Sequence, residues 1–154
     1  SHLQRAAKVF PTRIAVVYNN HRVNYGEYYS RCSQLASALV SVGVKPGSVV
    51  ATILPNVPAQ AEAHFGVPAC GAVLNTINTR LDVDTVSYIF GHGEAKVVLV
   101  DSQFLALAES ACAQVGDKAP LIIEVSDPSA GLRVVVNTRT MKNSYHQEIK
   151  NLNG

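Results

Sequence analysis

Two polar residues just beyond a predicted β-strand carry the side chains best placed to bind a ligand. Asn78 and Arg80 follow the apolar run at 72–77 and offer an amide and a guanidinium close together in the chain. Open α/β sheets bind their ligands at the carboxyl ends of their strands, so this position favours a binding role. Helix capping and a surface ion pair explain the same two residues equally well.

Other polar positions have simpler structural explanations. His64 lies beside Glu62 on an Ala-rich predicted helix, and it fits a packed or surface histidine, with a contact to a substrate pocket as the alternative. Asp101 ends a predicted strand and is expected to cap the helix after it. The Gly-His-Gly tripeptide at 91–93 begins like a dinucleotide fingerprint, but the third glycine is absent and a helix precedes it instead of a strand. We predict that this tripeptide ends a helix.

The tyrosine and cysteine side chains do not form a pattern typical of a base-stacking surface or a metal site. The tyrosines at 25, 28 and 29 are expected in the core and at its rim, because too few basic residues interleave with them for a stacking platform. The three cysteines have no metal-ligand spacing and are expected to be buried, reduced thiols; they are Cys32, Cys70 and Cys112. The sequence therefore predicts no catalytic, no cofactor-binding and no metal-binding residue in this chain.

Composition and charge narrow the class of partner. The 154 residues are 47% apolar and 16% charged, which suits a single α/β domain. Residues 1–125 are neutral overall, and residues 126–154 supply the whole net charge of +2. So small an excess of positive charge does not indicate binding to nucleic acid or to an anionic membrane. No apolar run reaches the roughly 18 residues that a membrane span requires. Without a secretion signal or a C-terminal peroxisomal tripeptide, we predict a cytoplasmic location.

Apolar runs that alternate with helical segments predict the fold. Four runs have the length and residue types of buried strands, at 49–54, 72–77, 96–101 and 121–125. Strands that are apolar on both faces and alternate with helices imply a parallel sheet covered on both sides. We therefore predict a layered α/β fold with a mostly parallel sheet and helices on both faces.

Local signals refine this prediction. The asparagine pair at 19–20 fits a two-residue hairpin turn between two short strands near the N-terminus, because asparagine tolerates a positive φ. Asn24 and Glu27 predict a capping box at the start of the next helix. Pro68 is expected to kink or divide its helix, since it has no N–H to donate. Ser102 is expected to cap a further helix.

The pattern of apolar residues changes after residue 125. Up to that point helices and strands follow one another closely, whereas the remainder has no apolar periodicity apart from a strand-like run at 132–136. We divide the chain into an N-terminal α/β subdomain at 1–125 and a divergent, poorly packed tail at 126–154.

Several blocks of the sequence, taken as a set, resemble one enzyme family. The blocks are VNYGEY at 23–28, VATILPNVP at 50–58, HFGVPACGAVLN at 64–75 with NTRL at 78–81, and AKVVLVD at 95–101. Together they resemble the AMP-forming acyl-activating enzymes of the adenylate-forming superfamily. The amino-acid sequences of these blocks are most similar to those of the plant acid–CoA ligases of the benzoate and medium-chain type. The resemblance covers about residues 3–125, and it implies the N-terminal portion of the adenylate-forming fold.

The resemblance implies a reaction for which this chain lacks the reactive groups. Such enzymes join a carboxylic acid to ATP as an acyl-adenylate and then pass the acyl group to coenzyme A. ATP, Mg²⁺ and coenzyme A are the cofactors implied for the full-length family. Its phosphate loop ending in Pro-Lys-Gly, its ribose-binding aspartate, its Asp-Arg hinge and its C-terminal lysine have no counterpart in this sequence.

Two functional hypotheses follow from that resemblance. The first is the N-terminal portion of an acid–CoA ligase, inactive alone, which takes a carboxylic acid only when the missing half completes it. The second is a non-catalytic truncated or spliced form that acts as an interaction module and pairs with a full-length relative. Both predict that this chain holds no cofactor of its own.

Overall fold

A β-sheet and a separate hairpin organise the chain in this computed structural model, which describes residues 1–125 and the strand at 134–136. The helices are α1 (His2–Val9), α2 (Tyr25–Ser41), α3 (Pro58–Ala69), α4 (Val83–His92) and α5 (Leu105–Val115). The strands are β1 (Ile14–Tyr18), β2 (His21–Asn24), β3 (Val49–Ile53), β4 (Val73–Thr76), β5 (Ala95–Asp101), β6 (Leu121–Val125) and β7 (Val134–Val136). Two 3₁₀ turns, at Ser102–Phe104 and Gly116–Lys118, flank α5.

The larger sheet has the strand order β4-β3-β5-β6-β7. Strands β3 to β6 are parallel to one another, and β7 pairs antiparallel with β6. The predicted mostly parallel sheet is confirmed, and β7 falls within the strand-like run at 132–136. The predicted poor packing of the tail lies outside the described residues. No helix of the described part has both the length and the apolarity needed to cross a membrane.

The strand residues pack into two separate apolar cores, one on each face of the sheet, because successive side chains of a strand point to opposite faces. On the face that we name the α3 face, strand residues pack with α3 and with α2 behind it. The buried residues there include Leu35, Leu39, Val50, Ala59, Ala63, Val67, Val97, Leu99 and Ile123. On the other face, named the α4/α5 face, the buried residues include Ala51, Ile53, Val86, Phe90, Val98, Val100, Ala108, Ala111 and Ile122. The prediction of helices on both faces is confirmed.

Strand β4 departs from the prediction that every strand is buried. Its first residue, Val73, is 54% exposed, and Thr76 at its other end is also exposed. The reason is the position of β4 at the edge of the sheet, where it has only β3 as a neighbour. The apolar run alone could not distinguish an edge strand from a central one.

The N-terminal hairpin forms a second, two-stranded sheet. Asn19 has a φ of 50° in the turn, which confirms the turn predicted from the asparagine pair. The strand register shifts between Ile14 and Val16. Val16 packs inward against a small core of Leu3, Tyr28 and Cys32, whereas Ile14 and Val17 are 49% and 55% exposed.

Helix α2 begins as predicted. The backbone N–H of Glu27 donates to Asn24 Oδ1 at 2.8 Å, and the Asn24 N–H donates to Glu27 Oε2 at 3.3 Å. This reciprocal pair is a capping box, which satisfies two backbone donors at the start of the helix. At the other end Gly43 takes a φ of 89°, a left-handed conformation that ends the helix with little strain.

The structure contradicts one of the two effects predicted for Pro68, the division of its helix, and it contradicts the cap predicted at Ser102. Pro68 does not divide α3, which continues through it and ends one residue later at Ala69. A proline so close to the end removes only one of the last backbone bonds. Ser102 does not cap a helix, because its hydroxyl donates to the carbonyl of Val125 at 3.2 Å. Asp101 caps the 3₁₀ turn at Ser102–Phe104, since its carboxylate accepts from the Gln103 N–H at 3.0 Å. The capping role predicted for Asp101 is confirmed at this turn, whereas α5 itself begins without a side-chain cap.

Candidate functional site

A polar cavity lies at the carboxyl end of the sheet, beside the ends of β3 and β4. Its volume is about 510 Å³. The lining residues are Leu54, Pro55, Asn56, Gln60, His64, Thr76, Ile77, Asn78 and Thr79. This is the edge at which open α/β sheets bind ligands, as the sequence prediction for Asn78 assumed.

The structure separates the two residues singled out at this edge. Asn78 lines the cavity, whereas Arg80 is not among its lining residues. The Arg80 N–H donates to Asn78 Oδ1 at 2.9 Å, so the Asn78 side chain organises the turn after β4. The cap of α4 is the neighbouring Asp82, whose carboxylate accepts from the Thr85 N–H at 2.8 Å. That backbone bond lowers the pKa of Asp82.

His64 is a surface histidine that also contributes to the cavity wall. Its Nδ1 lies 2.7 Å from the carbonyl oxygen of Gln60, one helical turn earlier. If Nδ1 donates in that bond, the neutral ring keeps Nε2 as an acceptor. The predicted surface position of His64 is therefore confirmed. A contact to a substrate pocket stays a prediction for this ring, which lines the cavity.

A second, apolar cavity adjoins the first and shares Asn56, Gln60 and His64 with it. We name it the hairpin groove, because it runs between β1 and α3. Its volume is about 700 Å³. The lining residues are Val16, Val17, Tyr18, Tyr28, Asn56, Val57, Pro58, Gln60, Ala61, His64 and Phe65. The sequence did not indicate this groove, because its walls come from two segments about 40 residues apart.

Tyr28 anchors the floor of the hairpin groove. Its hydroxyl donates to the Ala61 carbonyl at 2.7 Å, and its ring meets Phe65 edge-on with centroids 5.7 Å apart. Burial, with smaller contributions from Cys32 and Glu62, raises the pKa of Tyr28, so its hydroxyl stays protonated. The prediction that the tyrosines lie in the core and at its rim is confirmed, since Tyr28 is buried and Tyr25 and Tyr29 are half-buried.

An ion pair between a half-buried arginine and a buried glutamate joins α2 to α3. Glu62 is 2% exposed, and its Oε1 accepts a hydrogen bond from Nε of Arg31. Burial raises the pKa of Glu62, and the Arg31 guanidinium opposes that rise. The sequence analysis placed Glu62 beside His64 and missed Arg31. No local signal could reveal that partner, because it lies on a different helix.

Further buried polar atoms lie near the same helix. Among the described residues, Thr52 Oγ1 and Gln60 Oε1 are buried without a hydrogen-bond partner. Gln60 lines both cavities, so a ligand donor entering there would satisfy its carbonyl. Burial raises the pKa of the Cys32 thiol to about 12 and that of Cys112 to about 11, so both stay protonated at neutral pH. This agrees with the predicted buried, reduced thiols, although Cys70 is only half-buried.

The arrangement offers hydrogen bonds and apolar contact but little reactive chemistry. Where described Ser and Cys side chains donate a hydrogen bond, the acceptor is a backbone carbonyl and not a base. Within residues 1–125 no three His, Cys, Asp or Glu side chains group as metal ligands. The 91–93 tripeptide closes α4, as predicted, with Gly93 at its C-cap.

Comparison with known proteins places this arrangement in a family. A model of the family described as "AMP-binding enzyme" matches residues 3–150. An acetate/butyrate–CoA ligase of Arabidopsis thaliana, named as peroxisomal, is 45% identical over 131 residues. A trans-cinnamate:CoA ligase of Petunia hybrida, also named as peroxisomal, is 45% identical over 109 residues. These alignments cover 81% and 71% of this chain but only 23% and 19% of the relatives.

Solved structures show the same fold. A benzoate–CoA ligase from Burkholderia xenovorans LB400 superposes with a TM-score of 0.76 at 24% identity, covering 82% of this chain and 25% of that one. The N-terminal domain of FACL13 from Mycobacterium tuberculosis has a TM-score of 0.69 at 25% identity, covering 85% and 31%. This chain thus spans about a quarter of the proteins it matches, at their N-terminal end. By sequence and by fold, the chain belongs to the AMP-binding family of adenylate-forming enzymes.

Proposed function

We propose that this chain is the N-terminal framework of an AMP-forming carboxylic acid–CoA ligase. In the whole enzyme, the acid's carboxylate oxygen attacks the α-phosphorus of ATP to give acyl-adenylate and pyrophosphate. The coenzyme A thiol then displaces AMP to give the acyl-CoA. The family match over residues 3–150, together with relatives named as acid–CoA ligases at 45% identity, is the observation that carries this proposal.

The substrate class is proposed from the same relatives. Their names specify acetate and butyrate, benzoate, and trans-cinnamate. We propose a short-chain or aromatic monocarboxylic acid for the complete enzyme, with ATP, Mg²⁺ and coenzyme A as its co-substrates and metal. The described residues contribute the sheet and its covering helices to this enzyme.

We further propose that the chain does not catalyse adenylation unaided. The reaction brings two anions, a carboxylate and a phosphate, into contact, and this requires positioned donors and cations. The polar cavity at the end of the sheet and the hairpin groove are lined by no Lys or Arg side chain. A third cavity of the described residues, beside α1, is lined by Arg5 and Arg13. A preorganised cationic cradle is usually the largest single contribution to such catalysis.

An ATP–pyrophosphate exchange assay tests both parts of the proposal. The 154-residue chain is assayed alone with acetate, butyrate, benzoate and trans-cinnamate. A chimera is assayed in parallel, in which residues 1–125 replace the matched N-terminal portion of the Arabidopsis acetate/butyrate–CoA ligase. We expect exchange from the chimera and none from the chain alone. Exchange by the chain alone would refute its proposed inactivity, and a folded but inactive chimera would refute its framework role.

A second candidate function is a non-catalytic interaction module that pairs with a full-length relative. Large apolar side chains on the surface favour it: Val9, Phe10, Ile14, Val17, Val40, Phe65, Val73 and Tyr88 are all exposed by 37% or more. Multi-angle light scattering with and without a full-length relative tests this function. A complex of fixed stoichiometry supports it, whereas polydisperse aggregation of the chain contradicts it.

The compartment also stays a prediction. The residues alone suggested a cytoplasmic location, whereas several relatives are named as peroxisomal. Imaging of the natural protein, tagged at a position that leaves its C-terminus free, distinguishes these locations.

A further inference from the structure

We propose that the cavity beside α1 binds a small organic phosphate, namely a phosphate monoester attached to an aromatic group. We name this site the α1 cavity. Its volume is about 520 Å³, and its lining combines basic side chains with apolar and aromatic ones. It shares no lining residue with the polar cavity or with the hairpin groove. The proposal therefore goes beyond the function proposed above and does not depend on it.

Three short segments of the chain form the α1 cavity. Four residues of α1 line it, and their spacing of three and four positions places them on one face of the helix; they are His2, Arg5, Ala6 and Val9. The turn after α1 contributes Phe10 and Arg13, and the first residue of α2 contributes Tyr25. The cavity is thus built wholly from residues 2–25, and no residue of the larger sheet lines it.

Arg13 is held in place at the wall of the cavity. Its guanidinium carbon lies 4.5 Å from the centroid of the Phe10 ring, which is a cation–π contact. The Arg13 N–H donates to the Phe10 carbonyl at 3.1 Å, and the Arg13 carbonyl accepts from the Tyr25 N–H at 2.9 Å. These contacts fix Arg13 between two aromatic residues that line the same cavity. Because the guanidinium is positioned in advance, a ligand has less side-chain freedom to restrict when it binds.

The positive charge of the α1 cavity is not neutralised by nearby acids. No Asp or Glu lines the cavity, and within residues 1–125 neither Arg5 nor Arg13 forms an ion pair. Both guanidinium groups are permanently charged, and each offers N–H donors in a planar arrangement that matches phosphate oxygens. A phosphate monoester carries about −1.5 to −2 charges at pH 7, whereas a carboxylate carries one. Two arginines therefore favour the phosphate.

The apolar part of the lining defines the rest of the ligand. Val9 and Phe10 are 56% and 44% exposed, and Tyr25 is half-buried beside them. A ligand that covers these side chains removes apolar surface from water, which favours binding. Aromatic rings pack edge-to-face or in offset stacks, so an aromatic group suits a wall that contains Phe10 and Tyr25. The phosphate is expected at the arginines and the ring at this wall.

Isothermal titration calorimetry of the 154-residue chain with phenyl phosphate tests the proposal. Inorganic phosphate and benzyl alcohol are the comparison probes, since the first lacks the ring and the second lacks the phosphate. We expect one molecule of phenyl phosphate per chain and an affinity at least about 10-fold higher than for either comparison probe. No binding of phenyl phosphate would overturn the proposal. Equal affinity for phenyl phosphate and inorganic phosphate would also overturn it, because the apolar wall would then have no role.

Matched variants locate the binding site. Arg5→Gln and Arg13→Gln each remove one charge from the cavity, and each is expected to weaken phenyl phosphate binding by about 10-fold. Arg22→Gln removes the same charge from β2, outside the cavity, and is expected to leave the affinity unchanged. All three arginines are exposed, so the variants should fold, and circular dichroism checks this. Equal weakening in all three variants would indicate attraction to net charge alone and would overturn the proposal.

The outcome is separable from that of the proposed function. Binding that depends on Arg5 and Arg13 supports the phosphate site, whether or not the chimera described above exchanges pyrophosphate. A chimera that exchanges pyrophosphate supports the framework role, even where the chain binds no phenyl phosphate and the phosphate site is refuted.

Discussion

The two faces of the sheet differ in kind, although the same strands build both. The α4/α5 face is a closed apolar core in which Phe90 and Val86 are fully buried. The α3 face has an equally apolar centre, but it carries the buried Glu62, the unpartnered Gln60 oxygen, the polar cavity and the hairpin groove. Buried charges and open polar atoms lower stability unless something compensates them. The comparison teaches that one face is a closed apolar core, while the other keeps a buried charge, an unpaired polar atom and open cavities.

The largest expected effect comes from removing an aromatic ring from each face. Phe90→Ala opens a cavity in the closed core and should lower the free energy of unfolding by about 3–5 kcal/mol. Phe65→Ala, its counterpart at the hairpin groove, removes a side chain that is 37% exposed and should lower it by only about 1 kcal/mol. Urea denaturation followed by circular dichroism measures both. Equal losses would show that the two faces are packed alike.

Glycine-to-alanine substitutions in α3 and α4 compare the packing of the two faces through smaller changes in the free energy of unfolding. A Cβ at Gly66 in α3 would lie 2.7 Å from Leu35 Cδ2 and 3.0 Å from the Cys32 carbonyl oxygen, so Gly66→Ala should lower the free energy of unfolding by about 1–3 kcal/mol. Gly91 in α4 has nothing within 4 Å of such a Cβ. Gly91→Ala should therefore raise that free energy by about 0.5–1 kcal/mol, through helix propensity.

The same denaturation experiment decides the glycine pair. A stabilised Gly66→Ala variant would mean that α2 and α3 can separate without loss, contrary to the tight approach in the structure. A destabilised Gly91→Ala variant would mean that this end of α4 needs glycine for a reason other than space.

The buried carboxylate of the α3 face predicts a pH dependence. Burial raises the pKa of Glu62 in the folded chain, against the opposing effect of Arg31. A raised carboxyl pKa means that the folded chain binds the proton more tightly than the unfolded chain. The contribution of Glu62 to stability is therefore complete below the unfolded pKa of about 4.3. It declines as pH rises through the folded pKa.

Glu62→Gln isolates this contribution, because glutamine does not titrate. We expect the free energy of unfolding of the natural chain, minus that of the variant, to fall as pH rises from about 4 to 8. A difference for Glu62→Gln that rises with pH would mean that the Arg31 ion pair outweighs burial.

Local chemistry made much of the fold predictable. The capping box of Asn24 and Glu27 and the turn at Asn19 each depend on residues a few positions apart, and both predictions were correct. The family resemblance was also visible in the sequence, because it rests on contiguous blocks. Where prediction failed, at Ser102, a residue distant in sequence supplied the preferred partner, namely the Val125 carbonyl.

The sequence by itself determined the periodicities, caps and apolar runs that define an α/β sheet, since these depend on neighbours along the chain. Only the tertiary structure decided which strand lies at the edge and which helices approach closely. It alone brought Arg31 to Glu62 and β1 to α3, and so formed the ion pair and the hairpin groove. Contacts between distant segments follow from how whole elements pack, and no local pattern encodes them.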